Sequence, residues 1–330
     1  CVPPDRLQLQ GESMGTTWSA TLAGPALTGD AREAARSAIQ AALDEVEGAM
    51  STWLPDSELS RFNRYEGRDL FALSPSTLEV LAIAREVSER SGGAFDVTVR
   101  PLVAAWGFGA GARIPGEGPD EEERAAILAR VGWEKLEVDA AAGGARKRHP
   151  QLEVDLSAVA KGYGVDRAAA ALVAAGREDF LFELGGEIAV RGRRPDGRLW
   201  RLAVERPQEE GRAVFGVVEL DGQAMATSGD YRSFYEAGDE RLTHLLDPRI
   251  GRPIAHGLAS VSVVADSAAV ADAWATALSV LGPEEGVETA ETLGLAAYFL
   301  VRSAEGGFEA RATSRFPAVE TAADGAARSD

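Results

Sequence analysis

The chain has 330 residues, of which 45% are hydrophobic, and it carries a formal net charge of −18 at pH 7. This length fits one large domain or two small ones, and the hydrophobic content is enough for a substantial core. The negative charge argues against a nucleic-acid-binding protein, which needs a basic surface to displace counterions. A small anionic ligand is not excluded, because a local cluster or a bound metal can override the average charge.

The N-terminal segment has the composition of a tether. Residues 1–10 are polar and contain two prolines, and Cys1 is the only cysteine, so no intramolecular disulfide can form. Signal cleavage before a lipid-modified cysteine would produce this N-terminus. We therefore expect Cys1 to be lipidated and to anchor the protein to a membrane; the alternative is a boundary that happens to fall on a cysteine.

The first 150 residues predict helices separated by polar loops. Asp30 and Glu33 resemble a capping box, and apolar residues at helical spacing follow them. Proline at a helix start and glycine past its end delimit a second helix. The predicted elements are a strand over 14–23, an amphipathic helix over 31–50, a polar loop over 51–63, a helix from Ser74-Pro75 to Gly92, an exposed excursion over 107–124 and a hairpin tip over 141–150.

The second half of the chain predicts more strands than helices. Few strands alternate strictly with helices, so the pattern favours an α+β domain over a doubly wound sheet. We assign this domain to residues 11–315 and expect a disordered tail over 316–330. The predicted elements are strands over 152–157, 179–192, 199–207, 213–222, 258–265, 295–302 and 308–316, a helix over 157–175, and a helix over 267–281 that is capped by Ser267 and ended by Gly282-Pro283.

The stretch DLSAVAKGYGVDR at 155–167 places two glycines inside a predicted helix. Gly162 and Gly164 each cost about 1 kcal/mol relative to alanine, which a helix tolerates where another group must approach its backbone. Lys161 lies four residues after Ser157, so both project from one face near the helix start, a suitable seat for a phosphate. The alternative is a helix–sheet packing contact with a solvated lysine.

Asp272 and Thr276 lie four residues apart in the predicted C-terminal helix. Their oxygens therefore point the same way, and a carboxylate with a hydroxyl suits Mg²⁺ that is also bound by water and phosphate. The alternative is that Asp272 pairs with an arginine while Thr276 bonds back to a helix carbonyl.

Three further segments carry candidate ligand-binding groups. His244, ahead of Asp247-Pro248, can act as a general base, although the same stretch can be a purely structural turn. The residues Thr227, Ser228 and Gly229 offer small donors for an anion or a nucleotide edge. Aromatic residues and glycines around Asp96 suit either a flat-ring pocket or a core.

Taken together and in this order, these stretches resemble the ApbE family of FAD:protein FMN transferases, which are extracytoplasmic flavin-transfer lipoproteins. The resemblance implies a single large α+β domain with antiparallel sheets and packed helices. One departure is Ile250, where the family often has threonine. The matching stretches are 11–18, 51–63, 92–109, 154–172, 183–192, 226–232, 244–253 and 271–282.

The resemblance also implies the chemistry and the residues that perform it. FAD binds with Mg²⁺, its diphosphate is cleaved, and FMN passes to a Thr or Ser hydroxyl of an acceptor flavoprotein while AMP leaves. His244 would take the hydroxyl proton, and the bulky ring of Trp53 would stack on the flavin and shield the site. Implied FAD contacts are Met14, Trp53, Ala94, Phe95, Asp96, Asp155, Lys161 and Leu246, and implied metal ligands are Asp272, Thr276 and the backbone carbonyl of Ala158.

Two other functions use the same pocket. A Mg²⁺-dependent FAD pyrophosphatase would have water in place of the acceptor, and a non-catalytic flavin carrier would leave FAD intact. For a transferase, the expected partners are membrane or exported electron-transfer flavoproteins, and no nucleic acid. The expected location is the periplasmic side of a membrane, the inner one in a two-membrane cell, with Cys1 as the anchor.

Overall fold

A computed structural model describes residues 6–24, 27–112, 118–208, 213–230, 234–237 and 240–321. Seven α-helices lie within this described part: α1 Gly29–Met50, α2 Glu58–Arg64, α3 Pro75–Arg90, α4 Arg100–Ala105, α5 Glu121–Leu128, α6 Ser157–Ala174 and α7 Ala268–Leu293. None of these helices, over the residues described, is long and apolar enough to cross a membrane.

The strands of the same part are β1 Arg6–Ser13, β2 Thr16–Ala23, β3 Phe71–Ala72, β4 Leu136–Asp139, β5 Gly144–Lys147, β6 Phe180–Leu184, β7 Glu187–Arg191, β8 Trp200–Arg206, β9 Ala213–Leu220, β10 Ala224–Gly229, β11 Phe234–Ala237, β12 Glu240–Thr243, β13 Leu246–Asp247, β14 Arg252–Pro253, β15 Leu258–Ala265, β16 Ala296–Arg302, β17 Phe308–Ala312 and β18 Val319–Thr321.

One large sheet organises the fold. It has eight strands in the order β1-β2-β6-β7-β10-β15-β16-β17, and each neighbouring pair is antiparallel. Helices α1, α6 and α7 cover one face, and the three-stranded sheet β18-β9-β8 covers the other. In β15, Val263 faces the helices and Val264 faces the small sheet, so this strand reads as a continuous apolar run. The α+β prediction with antiparallel sheets is confirmed.

The first predicted helix is present, but its cap is different. The apolar residues predicted at helical spacing are all buried in α1: Ala35, Ile39, Leu43, Val46 and Met50. The N-cap is Thr28, whose hydroxyl accepts a hydrogen bond from the Ala31 amide, so the capping box of Asp30 and Glu33 is wrong. Glu33 instead pairs with Arg36 on the exposed face of the helix.

The predicted stop at Gly282-Pro283 is a kink and not the end of α7. Gly282 has φ of 83°, a left-handed conformation that glycine adopts easily. The helix resumes after Pro283 because proline tolerates the first turn of a helix. The predicted Ser267 cap is confirmed, since its hydroxyl accepts a hydrogen bond from the Val270 amide.

Gly162 is required by a close approach between two helices. A Cβ atom at this position would lie 2.2 Å from the backbone oxygen of Ala268, at the start of α7. At Gly162 the packing interpretation is therefore correct, although the neighbour is a helix; at Gly164 the neighbours include Leu184 of β6, so the predicted helix–sheet contact is present there. At Gly164, a Cβ atom would meet only side chains, with Met14 nearest at 3.1 Å.

Gly162→Ala is expected to destabilise the fold by about 1–3 kcal/mol or more, because α6 and α7 must move apart to fit the methyl group. Gly164→Ala is the matched control, since flexible side chains can yield there. Urea unfolding of both variants tests the difference. Equal loss of unfolding free energy in the two would show that the α6–α7 contact is not the constraint.

Four predicted boundaries need correction. Residues 6–10 of the predicted tether form the start of β1, because Leu9 is buried and the segment pairs with β2. Within the predicted tail, Phe316 packs on Tyr298 and β18 pairs with β9; residues 1–5 and 322–330 lie outside the described part. The predicted loop 51–63 contains the start of α2, and the excursion 107–124 contains the start of α5.

The predicted strand over 152–157 is extended chain without a strand partner. Its apolar residues are buried, as the alternation requires. The side-chain amide of Asn63 takes the place of a neighbouring strand: its Nδ2 donates to the Val154 carbonyl and its Oδ1 accepts from the Val154 amide, both at 2.8 Å. One side chain therefore satisfies the backbone groups that pairing would otherwise satisfy.

Candidate functional site

A cavity of about 680 Å³ lies between the helical layer and the ends of the central strands. Its volume falls in the range of small-molecule sites, about 300–1,000 Å³. It brings together most of the residues singled out in the sequence, from segments spread over nearly 200 positions. The predicted site residues that line it are Ala94, Phe95, Asp96, Asp155, Ala158, Lys161, Thr227, Ser228, Gly229, His244, Leu246, Asp272 and Thr276.

Two predicted flavin contacts lie outside this cavity. Met14 packs between the two core clusters, with its amide hydrogen-bonded to Glu47. Trp53 is 70% exposed and lines a second cavity beside Arg64 and Arg100. In this position Trp53 does not cover the first cavity, contrary to the expectation that its ring shields the site. Cys1 lies outside the described residues.

Helices α6 and α7 are joined by a side-chain cap. Asp166 of α6 accepts hydrogen bonds from the Ser267 hydroxyl and the Ala268 amide at 2.7 Å, and from the Ala269 amide at 3.0 Å. A carboxylate at a helix N-terminus satisfies otherwise unpaired amides and complements the helix dipole. This cap, with the close contact at Gly162, fixes the first turns of α7 against the start of α6.

Asp272 is held in place by the backbone of α6. The side chain is 3% exposed, and Oδ2 accepts a hydrogen bond of 3.0 Å from the Gly162 amide. Burial raises the pKa of Asp272, while the nearby Lys161 opposes that rise. A backbone carbonyl has two lone pairs, so the Ala158 carbonyl can accept one hydrogen bond within the helix and keep a lone pair for a ligand in the cavity that Ala158 lines. The carbonyl can therefore belong to the helix and still serve as a ligand.

The hydroxyls of β10 connect the central sheet to α7. Ser228 Oγ lies 3.0 Å from Thr276 Oγ1, and Thr227 Oγ1 lies 2.8 Å from Ser262 Oγ on β15. The structure therefore orients the Thr276 hydroxyl from the sheet side. Asp272 and Thr276 line the same cavity, as their i, i+4 spacing predicts.

Lys161 is paired with a carboxylate that the sequence did not single out. Its Nζ lies 2.5 Å from Oε1 of Glu187, which is 2% exposed at the start of β7. Burial raises the pKa of Glu187 to about 7; Lys161 opposes the rise and the charge of Asp272 adds to it. One feature of the sequence could have identified Glu187 as a site residue: it is a charged residue at an inward position of a strand, directly after a Gly-Gly turn.

The other two predicted acidic contacts serve mainly to shape loops. Oδ1 of Asp96 accepts from the amide and the hydroxyl of Thr98, and Oδ2 accepts from the Trp133 amide; burial raises the pKa of this carboxyl. Oδ1 of Asp155 accepts from the amide and hydroxyl of Ser157 and so starts α6. These carboxylates position the cavity walls around them.

His244 lies between β12 and β13, with its ring edge-on to Phe108 at a centroid distance of 6.4 Å. The turn that follows is held by Asp247, whose carboxylate accepts from the amide and the guanidinium of Arg249. Ile250 is exposed in this turn. The structural and functional interpretations of this stretch therefore apply to different residues: Asp247 shapes the turn and His244 faces the cavity.

The charge of the cavity wall is strongly negative. Among the described lining residues there are one lysine, Lys161, no arginine, and six carboxyl side chains: Asp96, Asp155, Glu183, Glu187, Glu205 and Asp272. An anionic ligand therefore needs more positive charge than the described lining residues supply through Lys161. No group of three or more His, Cys, Asp or Glu that could hold a metal occurs among the described residues. The available donors fit Mg²⁺, which uses one or two carboxylates together with water and substrate phosphates.

Comparison with known proteins places this arrangement in a family. A Vibrio cholerae protein named FAD:protein FMN transferase is 40% identical over 95% of this chain and 92% of its own length. The solved structure of the flavin transferase ApbE from Vibrio cholerae superimposes with a TM-score of 0.86 at 39% identity, covering 95% of this chain and 99% of that one. The flavinyl transferase ApbE from Pseudomonas stutzeri, in its apo form, gives 0.84 at 36% identity, covering 94% and 95%. Since the ApbE family profile also matches residues 14–299, this chain belongs to the ApbE family.

Proposed function

We propose that this protein transfers FMN from FAD to a Thr or Ser hydroxyl of an acceptor flavoprotein and releases AMP. The observation that carries the proposal is the single cavity shared by Lys161, His244, Asp272 and Thr276. Relatives named FAD:protein FMN transferase are 38% and 40% identical to this chain over 90% and 95% of its length, and they support the same substrate. Apolar lining residues such as Phe95 and Leu246 suit the flavin ring.

The proposed reaction is a displacement at the phosphorus atom of the FMN half of FAD. The acceptor oxygen forms a new bond to this phosphorus, and the bond from phosphorus to the bridging oxygen breaks. AMP departs with the electron pair of that bond. His244 removes the hydroxyl proton, and a well-placed base of this kind contributes about 10²–10⁴-fold to the rate.

The cavity needs a divalent cation for this substrate, because its described lining residues offer one cation, Lys161, against six carboxyl groups. We assign Mg²⁺ to Asp272, Thr276 and the Ala158 carbonyl. When bound there, the metal would supply the positive charge that stabilises the diphosphate oxygens during the displacement. Lys161 adds a second positive charge at the same wall, held in place by Glu187.

Localisation rests on Cys1 and stays a prediction. A lipid-modified Cys1 would hold the protein on the extracytoplasmic side of a membrane, where exported or membrane-bound acceptor flavoproteins are available. Membrane fractionation of the producing cell should recover the protein with the membrane, and recovery in the soluble fraction would contradict the anchor.

Incubation of the protein with FAD, Mg²⁺ and a flavin-acceptor domain tests the function directly. We expect a fluorescent acceptor band on a denaturing gel together with one AMP for each acceptor labelled. Free FMN and AMP without the band would show that water is the acceptor and that the protein is a pyrophosphatase. Intact FAD would show a carrier.

A further inference from the structure

Glu187 has one carboxylate oxygen with an assigned role and one without. Oε1 accepts the hydrogen bond from Lys161, whereas Oε2 is buried and has no hydrogen-bond partner among the described residues. An unsatisfied buried polar atom costs about 1–3 kcal/mol, and native structures contain few of them. Glu187 therefore places an oxygen that destabilises the fold on the wall of the candidate active site.

Local packing does not explain the unpartnered oxygen, as the neighbouring Glu183 shows. Glu183 lies on the same β6–β7 hairpin and lines the same cavity. Both of its oxygens have partners: Oε1 accepts from the Gly186 amide at 3.0 Å, and Oε2 accepts from the Ser19 hydroxyl at 3.5 Å. The hairpin can thus satisfy a glutamate completely, and at Glu187 it does not.

The charges around Glu187 indicate which kind of group is missing. Lys161 is its partner on one side, and the Asp272 carboxylate acts on it from another. When both buried carboxylates are ionised against one ammonium, the local charge is negative, and a hydrogen-bond acceptor or another anion would add to it. A cation, or a water molecule polarised by a cation, would satisfy Oε2 and balance the charge.

We propose that Glu187 is a positioning residue of the divalent-cation site: Oε2 accepts a hydrogen bond from a water molecule on the metal, while Oε1 directs Lys161 towards the diphosphate. This inference rests on the proposed metal-dependent transfer. It adds a residue of β7 to a metal site whose proposed side-chain ligands lie on α7. Mg²⁺ keeps several of its waters in proteins, so such an outer acceptor has ligands to hold. Partners of this kind typically change metal affinity about 10–100-fold when they are removed.

Titration of the protein with Mn²⁺, followed by the EPR signal of the free ion, tests the role without any turnover. Glu187→Gln keeps the size of the side chain and is expected to weaken Mn²⁺ binding about 10–100-fold. Glu183→Gln is the matched control from the same hairpin and should bind Mn²⁺ as the unmodified protein does. Glu187→Asp keeps the charge but withdraws it by one methylene, and it should also bind about 10-fold more weakly.

Asp272→Asn separates failure of this inference from failure of the metal site itself. If Asp272→Asn weakens Mn²⁺ binding and the Glu187 variants do not, Glu187 has no part in holding the metal and the inference is overturned. If none of the variants changes the binding, or the unmodified protein binds no Mn²⁺, the proposed metal site and this inference both fail. Thermal unfolding of each variant confirms that it is folded, and Glu187→Asp decides the matter should Glu187→Gln not fold.

Discussion

Asp272→Asn is expected to lower FMN transfer by about 10³-fold or more while leaving the fold intact. A bound metal is worth several kcal/mol of charge stabilisation in such a reaction, and each 1.36 kcal/mol is a factor of ten in rate. The fold should tolerate the change because asparagine keeps an acceptor for the Gly162 amide. Transfer to an acceptor domain and Mn²⁺ affinity should fall together.

The direction in which Asp272→Asn changes the unfolding free energy follows from the pKa of Asp272. Burial raises the pKa of Asp272 above its unfolded value, so at a pH above both values the ionised carboxyl costs the folded state free energy. That cost begins to fall as the pH drops through the folded-state pKa and is gone below the unfolded-state pKa, and it is absent at every pH in the asparagine variant. The unfolding free energy near neutral pH should therefore be equal to or higher than that of the unmodified protein.

Thr276→Val and Glu183→Gln provide the controls. Thr276→Val removes a hydroxyl ligand and the bond to Ser228, so a smaller loss in Mn²⁺ affinity is expected than for Asp272→Asn. Glu183→Gln changes a cavity carboxylate that already has hydrogen-bond partners, and it should bind Mn²⁺ normally. Normal transfer by Asp272→Asn in the presence of Mg²⁺ would show that this carboxylate is not a metal ligand.

Helical spacing made much of the site predictable. Asp272 and Thr276 lie on one helix four residues apart, and helix geometry alone puts their oxygens on one side. The glycines of α6 indicated a close approach to its backbone, and Gly162 makes one. The resemblance to the family then supplied the substrate, which spacing could not.

Glu187 was not predictable, because its role depends on pairing across the fold. Its partner Lys161 is 26 positions away on a helix, and only the packing of α6 on β7 brings the two together. The extended segment before α6 shows the same limit. Its alternating apolar residues are typical of a strand, but a single side chain, Asn63, occupies the place of the neighbouring strand. Local pattern determines which face is buried and does not determine which group covers it.

His244→Ala is expected to lose transfer by about 10²–10⁴-fold, the usual contribution of a general base, and to bind FAD with unchanged affinity. The reason lies in its position: the imidazole faces the cavity from the turn after β12, while α6 and α7 hold the proposed diphosphate-binding groups. Equilibrium titration with FAD and single-turnover transfer measure the two properties separately. Added imidazole should restore part of the rate by taking the proton in place of the missing ring.

The matched control is His149→Ala, which removes a histidine from the β5 side of the fold, away from the cavity. Nδ1 of His149 accepts a hydrogen bond from the Gln151 amide, so the ring stabilises a local turn. Its transfer rate should match that of the unmodified protein. Full transfer by His244→Ala would remove this residue from the mechanism, and loss of FAD binding without rescue by imidazole would make it a binding residue. Rescue with normal FAD affinity is the result that only a proton acceptor produces, because a small base replaces the chemistry of the ring but not its contacts.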